Sequence, residues 1–122
     1  MNIEELREYA LSFKYTSESF PFDETTLVFK VMNKMFALTD VEEELKVNIK
    51  CPPEKVIDLR ERYPDTVFPG YHMDKRHWNT VFFHREVDDS TVCRWIDESY
   101  DLVVASLPKY KQKELRGEMD RE

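Results

Sequence analysis

The chain has 122 residues, 35% of them charged and 13% aromatic, with 18 basic and 25 acidic side chains for a net charge of −7. That length suits one domain, and surface scaling leaves about 7,000 Å² exposed of roughly 21,000 Å² in the unfolded chain, enough for one core without metals or disulfides. The acidic balance weighs against a non-specific nucleic-acid binder, which draws its affinity from counterion release at phosphates. The two cysteines, Cys51 and Cys93, make no secreted disulfide framework, and no apolar run approaches the ~20 residues of a membrane span.

The opening stretch MNIEELREYA is acidic and amphipathic, unlike the basic and then apolar pattern of a signal peptide. A reduced, cytoplasmic, monomeric chain with no membrane partner is the expectation. Asn2 followed by Glu5 has the spacing of a capping box. Ile3, Leu6, Ala10 and Phe13 then recur at helical spacing, with Glu4, Glu5 and Glu8 turned away, so a first helix is expected to end near Phe13 or Lys14. Thr16, Ser17 and Ser19 would stop it by competing for backbone hydrogen bonds.

Ser19 to Phe22 reads as an edge strand, since Pro21 cannot donate to a central ladder. Two strands are predicted over Thr26 to Met32 and Met35 to Thr39, joined by a two-residue turn at Asn33-Lys34. In the first, Leu27, Phe29 and Val31 form the likelier core face. After an acidic loop, Leu45, Val47, Ile49 and Cys51 alternate with Lys46, Asn48 and Lys50, the clearest strand signal in the chain. Pro53 suits a first helical position, Val56, Leu59 and Tyr63 follow at helical spacing, and Pro64 ends that helix. Phe68-Pro69-Gly70-Tyr71 reads as a turn with Gly70 supplying a positive φ. His77 to His84 reads as a strand. A last helix opens at Asp88 or Asp89 and carries Val92, Trp95, Ile96, Ser99, Leu102, Val103 and Leu107 on one side. The fold class is α+β, an antiparallel sheet with helices on one face, in a single domain over residues 1–108. Residues 109–122 are expected to be a charged tail or frayed helix.

Five segments, SFPFDETTLVFKV, KMFAL, VNIKCPPEKVIDLRERYP, PGYHMDKRHWNTV and IDESYDLVVASLPK, resemble the MmcQ/YjbR proteins, small bacterial domains. The resemblance runs from the first helix to about Pro108, and the PGYH–HWNT block is its most specific part. It implies a CyaY-like, frataxin-like arrangement and a DNA-binding label. One departure is Pro52, where an Asp would cap the second helix.

The residue pattern itself offers one main candidate site: Tyr71, His72, Lys75, Arg76, His77, Trp78 and Asn79. Lys75 and Arg76 could meet phosphates, Tyr71 or Trp78 stack on a base, and Asn79 read an edge. Lys30, Lys46 and Lys50 could add from polar strand faces. The plainer reading places Trp78 in the core, gives Asn79 and His72 to loop backbone groups, and leaves Lys75-Arg76 as a solvated turn. The C-terminal run Lys109, Lys111, Lys113 and Arg116 is interleaved with acids, as on a solvated helix.

His72, His77, His84, Cys51 and Cys93 lack paired-ligand spacing, so no metal and no cofactor is expected. The carboxylates of Glu4, Glu5 and Glu8 are a remote iron-holding option that only the frataxin likeness raises. Cys93 near a helix start could have a lowered pKa, but it lies beside the apolar stripe and no motif pairs it with a base. With only Gly70 and Gly117 there is no glycine-rich phosphate cradle. The chain is therefore expected to be non-enzymatic, binding either DNA or, without nucleic-acid contact, a protein or small ligand.

Overall fold

A computed structural model describes residues 1–71 and 73–117. The order of elements is α1 (Ile3–Leu11), β1 (Thr16–Ser19), β2 (Thr26–Val31), β3 (Lys34–Asp40), β4 (Lys46–Lys50), α2 (Pro53–Arg62), β5 (Val67–Pro69), β6 (Trp78–Phe82), α3 (Asp89–Ala105) and α4 (Lys109–Arg116). The six strands make one antiparallel sheet in the order β1-β2-β3-β4-β6-β5. The α+β expectation holds.

The capping box of α1 is present, with Asn2 accepting from the Glu5 backbone and Glu5 answering to the Asn2 backbone. α1 stops two residues early, at Leu11. Thr16 and Ser17, expected to stop that helix, instead begin the edge strand β1, which pairs with β2 from Thr16↔Val31 to Ser19↔Val28, so the edge strand expected over Ser19 to Phe22 falls earlier. Phe20, Pro21 and Phe22 lie in the loop that follows. Two salt-bridged hydrogen bonds from Arg7 to Glu18, at 2.9 and 2.5 Å, tie α1 to this edge.

The hairpin turn falls one residue earlier than expected. Val31 pairs with Lys34, so Met32 and Asn33 are its central residues, at φ 47° and 71°. Two positive φ values are what a two-residue turn needs to follow the strands' twist. The expectation of Asn33-Lys34 rests on the tolerance of asparagine for positive φ, and Asn33 does take one, as the second central residue. α2 begins with Pro53 at its first position and Pro52 before it, with no side-chain cap, as the sequence implied. β5 is a strand where only a turn was expected; it tolerates Pro69 because it is a sheet edge. α4 continues the fold past Pro108, placing Leu115 in the core at 5% exposure, and Gly117 caps it at φ 71°.

One face of the sheet carries the core. Leu27, Phe29 and Val31, Val47 and Ile49, and Val81 and Phe83 meet Leu6 and Ala10 of α1 and Val92, Trp95, Ile96 and Val103 of α3. Full burial of a side chain such as Ile96 contributes about 2 kcal/mol. The other face has its own register row, Val28–Leu38–Asn48–Thr80–Phe68.

Strict alternation would put Phe36 on that second face with Leu38, but a β-bulge intervenes. Phe29 pairs with Ala37 and Lys30 with Met35, so Phe36 is an extra residue in β3. Phe36 and Ala37 both enter the core, where Phe36 packs edge-on to Phe13 and Tyr100. Met35 is returned to the second face. The bulge also halts pairing of β3 with β4 beyond Ala37↔Ile49. The gap is bridged from α3: Ser99 Oγ donates to the Phe36 carbonyl at 2.6 Å and accepts from the Lys50 N–H at 2.9 Å.

Ser99 is fully buried, so Ser99→Ala strands a buried carbonyl and a partly buried N–H. The expected loss is about 3 kcal/mol, read as a lower urea midpoint with an unchanged slope. A loss under about 0.5 kcal/mol would mean that the two strands close the gap themselves.

Candidate functional site

Among the described residues no helix covers the second face of the sheet, and two loops stand over it. The first runs from Phe20 to Thr25 and is folded by Asp23, whose Oδ1 accepts from the Thr25 and Thr26 N–H groups at 3.0 and 2.7 Å. These bonds hold its carboxyl below the usual aspartate range. The second joins β5 to β6 and contains the main sequence candidate.

That second loop is held from beneath. Arg60 of α2 donates from Nε to Asn79 Oδ1 at 2.7 Å, from Nη2 to the Trp78 carbonyl at 3.3 Å, and to the Lys75 carbonyl. Asp74 accepts from the Arg76 N–H at 2.9 Å and sits 2.8 Å from His77 Nδ1; the N–H first, then the ring, hold its carboxyl below the ordinary value. Lys75 Nζ donates to the Gly70 carbonyl at 3.1 Å. Gly70 is needed for room, not for a positive φ: a Cβ there would lie 2.8 Å from Trp78 Cβ and 3.0 Å from its carbonyl, whereas the one glycine at positive φ is Gly117.

Between the loops lies a cavity of about 580 Å³, lined by Phe22, Met35, Leu38, Asn48, Tyr71, Met73 and Trp78, with Asp40, Glu43, Lys46 and Asp74 among its polar residues. Its lining is mostly apolar. A second cavity of about 380 Å³ shares Phe22, Met35 and Trp78 with it and adds Lys30, Lys34 and Lys50. A third, of about 520 Å³, shares Glu43, Lys46 and Tyr71 and adds Phe68, Phe82 and Arg85. Shared walls make them one groove across the strands.

The floor of the central cavity holds the informative polar groups. The Thr80 hydroxyl accepts from the Tyr71 N–H at 3.2 Å and donates its single proton to Asn48 Oδ1. Asn48 is 5% exposed, yet its Nδ2 has no hydrogen-bond partner among the described residues. The Trp78 indole N–H, in a residue 7% exposed, has none either. No sealed side-chain nitrogen or oxygen among the described residues lacks a partner, so both donors reach surface, and both residues line the groove. A donor that opens onto a mainly apolar groove is free to meet a ligand acceptor there.

Among the sequence candidates, Tyr71 and Trp78 are brought together in the central cavity. Lys75, Arg76 and His77 line none of the three cavities. Asn79 faces the opposite, covered side: it is fully buried and its Nδ2 donates to the Val56 carbonyl at 3.3 Å, so its amide reads no ligand edge. His72 lies outside the described residues. Lys30 and Lys50 do line the groove, as does Lys46, which is paired with Glu43. Lys109, Lys111 and Lys113 on α4 do not enter it.

Burial pushes the Cys51 thiol up to about 11 and also raises Cys93, against the lowering considered for Cys93 from helix position alone. Among the described residues no group of three or more His, Cys, Asp and Glu is placed to hold a metal ion, and no helix is long and apolar enough to cross a membrane. Phe22, Met35 and Leu38 were not singled out by sequence. The alternation of Lys46, Asn48 and Lys50 was the available signal for Asn48.

Arg60→Met, which keeps the stem and removes the donors, is expected to cost about 2 kcal/mol by orphaning Asn79 Oδ1 and freeing the Lys75 carbonyl. Amide exchange should rise across residues 70–77 well before global unfolding. Unchanged exchange there would show that the loop holds itself.

A family model described as YjbR matches residues 11–102. YbdF of Escherichia coli O157:H7 is 33% identical over 117 residues, covering 93% of each chain. YjbR of Escherichia coli strain K12 is 34% identical over 114 residues, covering 93% of this chain and 96% of its own. Among solved structures, the Deinococcus radiodurans protein DR2400 superimposes with a TM-score of 0.87 at 37% identity, over 93% of this chain and 87% of that one. A Pseudomonas syringae protein gives a TM-score of 0.69 at 25% identity, over 84% and 98%.

Proposed function

We propose that this chain, which belongs to the YjbR family, is a small-ligand-binding domain whose site is the groove on the helix-free face of its sheet. The observation that carries the reading is the central cavity: about 580 Å³, walled by Phe22, Leu38, Tyr71 and Trp78, with Asn48 on its floor, whose Nδ2 has no partner among the described residues. A concave, mainly apolar site with a few convergent polar groups is the usual form of a small-molecule pocket. Exposed aromatics at its rim, Phe22 at 64% and Tyr71 at 67%, are the kind of apolar surface a soluble domain keeps for binding.

Binding rather than catalysis is part of the proposal. The carboxylates at the cavity edge already accept hydrogen bonds, Asp40 from the Glu42 N–H, Glu43 from Lys46 and Asp74 from the Arg76 N–H. A monomer working in the cytoplasm fits the same reading. The test is a panel of neutral and charged aromatic fragments followed by ¹H–¹⁵N correlation spectra. Binding should move the Trp78 indole and Asn48 side-chain signals together and be lost in Met35→Trp, which fills the groove. If no fragment shifts those signals at millimolar concentration, the reading is wrong.

A second reading, DNA binding, is favoured by Lys30, Lys34 and Lys50 beside three aromatic rings. It ranks lower because Asp40, Glu43 and Asp74 face the same groove and the chain carries net −7, both repelling a phosphate backbone. It requires that anisotropy of labelled single- and double-stranded DNA show saturable binding. With ~4 phosphate contacts the log–log salt slope would be near −3.6 for duplex. No binding at low salt removes it.

A further inference from the structure

We infer that the groove takes an amphipathic anion: an apolar, ring-bearing or acyl body in the central cavity, with a carboxylate or phosphate head at the Lys30, Lys34 and Lys50 end. The inference rests on the binding reading above and adds the ligand's chemical class and its direction in the groove.

The end cavity contains three ammonium groups and no carboxylate: its lining is Lys30, Lys34 and Lys50 with Pro21, Phe22, Asn33, Met35, Trp78, Val103 and Ser106. None of the three lysines has an ion pair or a side-chain hydrogen bond among the described residues. Other basic groups at the sheet are committed, Lys46 to Glu43 and Arg85 to Glu44. Lys30 and Lys50 are half-buried. In the register Lys30 stands opposite Met35 and Lys50 opposite Trp78, which puts both stems on the helix-free face. Partly desolvated cations held close together repel one another and gain from an anion placed among them.

A simpler role for these lysines would be to satisfy the C-terminal end of α3, since Val103 and Ser106 share the cavity and terminal carbonyls attract cations. Those carbonyls are already served. Val103 O accepts from Ser106 N and Oγ at 3.0 and 2.6 Å, Val104 O from Leu107 N at 3.0 Å, and Ala105 and Leu107 O from Gln112 at 3.5 and 2.8 Å. The lysines are left to face outward into the groove.

The neutral donors agree. Trp78, which lines both cavities, offers its indole N–H, and Asn48 in the central cavity offers Nδ2; neither has a partner among the described residues, and both are donors. Donors and cations at one end call for an acceptor-rich head. Toward the other end, where Asp40 closes β3 opposite Thr26, Asp40 and Glu43 disfavour a second anionic group, so the molecule is oriented head toward the lysines. Phe22, Met35 and Trp78, common to both cavities, are the apolar joint over which its body passes.

The test uses the full chain and matched probes: 2-naphthoate, 2-naphthyl phosphate, 2-naphthalenemethanol and 2-naphthylmethylamine, titrated by calorimetry with the Trp78 indole signal as reporter. One or both anions should bind about tenfold tighter than the alcohol, and the amine weakest; the tighter anion identifies the head. Lys30→Met/Lys50→Met should erase the anion's advantage while leaving the alcohol's affinity unchanged, and Lys30→Arg/Lys50→Arg should keep it. If the alcohol shifts the Trp78 signal and binds as tightly as either anion, the anion inference fails and the cavity reading stands. If no probe shifts that signal, both fail.

Discussion

The buried hydroxyl of Ser99 closes the one break in the middle of the sheet, and much of the architecture follows from that break. An extra residue in β3 turns both Phe36 and Ala37 to the core. The turn costs the sheet its next rung between β3 and β4, leaving the Phe36 carbonyl and the Lys50 N–H without each other. In a sheet interior such groups cannot be left to water. Ser99, one side chain on the helix that crosses these strands, takes both. The helix is thereby held in a single register against the sheet, where apolar packing alone would tolerate some sliding.

The same bulge shapes the opposite face. Because Phe36 goes inward, Met35 comes outward and Leu38 stays outward, so β3 offers two flexible or aliphatic side chains to the groove between a pair of lysines and an asparagine. The helices have no room on that side, since the loops after β1 and β5 occupy its rims. Those loops are built differently. The first is organised mainly by Asp23, while the second is tied to α2 through Arg60 and to β6 through Thr80 and the close approach of Gly70 to Trp78. One wall of the groove is therefore anchored to the core and the other rests on a local turn, which is a common division between a fixed platform and an adaptable edge.

Charge along the groove is graded although the whole chain is acidic. Lysines that have no partner among the described residues line one end, and the carboxylates of Asp40 and Glu43, each already accepting hydrogen bonds, stand toward the other. A net charge of −7 describes the far field and says little about a groove a few ångströms wide, where the nearest groups dominate. Arg76, the most conspicuous basic residue of the sequence candidate, lies outside the groove, and Lys75 is turned onto the Gly70 carbonyl.

Elements whose signal is local were legible in the sequence. Asn2 with Glu5 announces its helix because both partners lie within one turn. Pro53 does so through its fixed φ, and the alternation from Leu45 to Cys51 reports a strand with one face buried. The resemblance to the family was also legible, in the segment from Pro69 to Val81. What the tertiary structure decided depends on residues far apart in the chain. Thr16 to Ser19 form a strand because β2 offers an edge. Asn79 is a structural amide because Arg60, 19 residues before it, reaches under the loop. Phe36 faces inward because Phe13 and Tyr100 leave it a place. The groove itself unites Phe22, Met35, Asn48 and Trp78 from four separate parts of the chain. No local pattern marks such a meeting, since propensity and periodicity act over one or two turns, whereas a cavity is defined by what folding leaves uncovered.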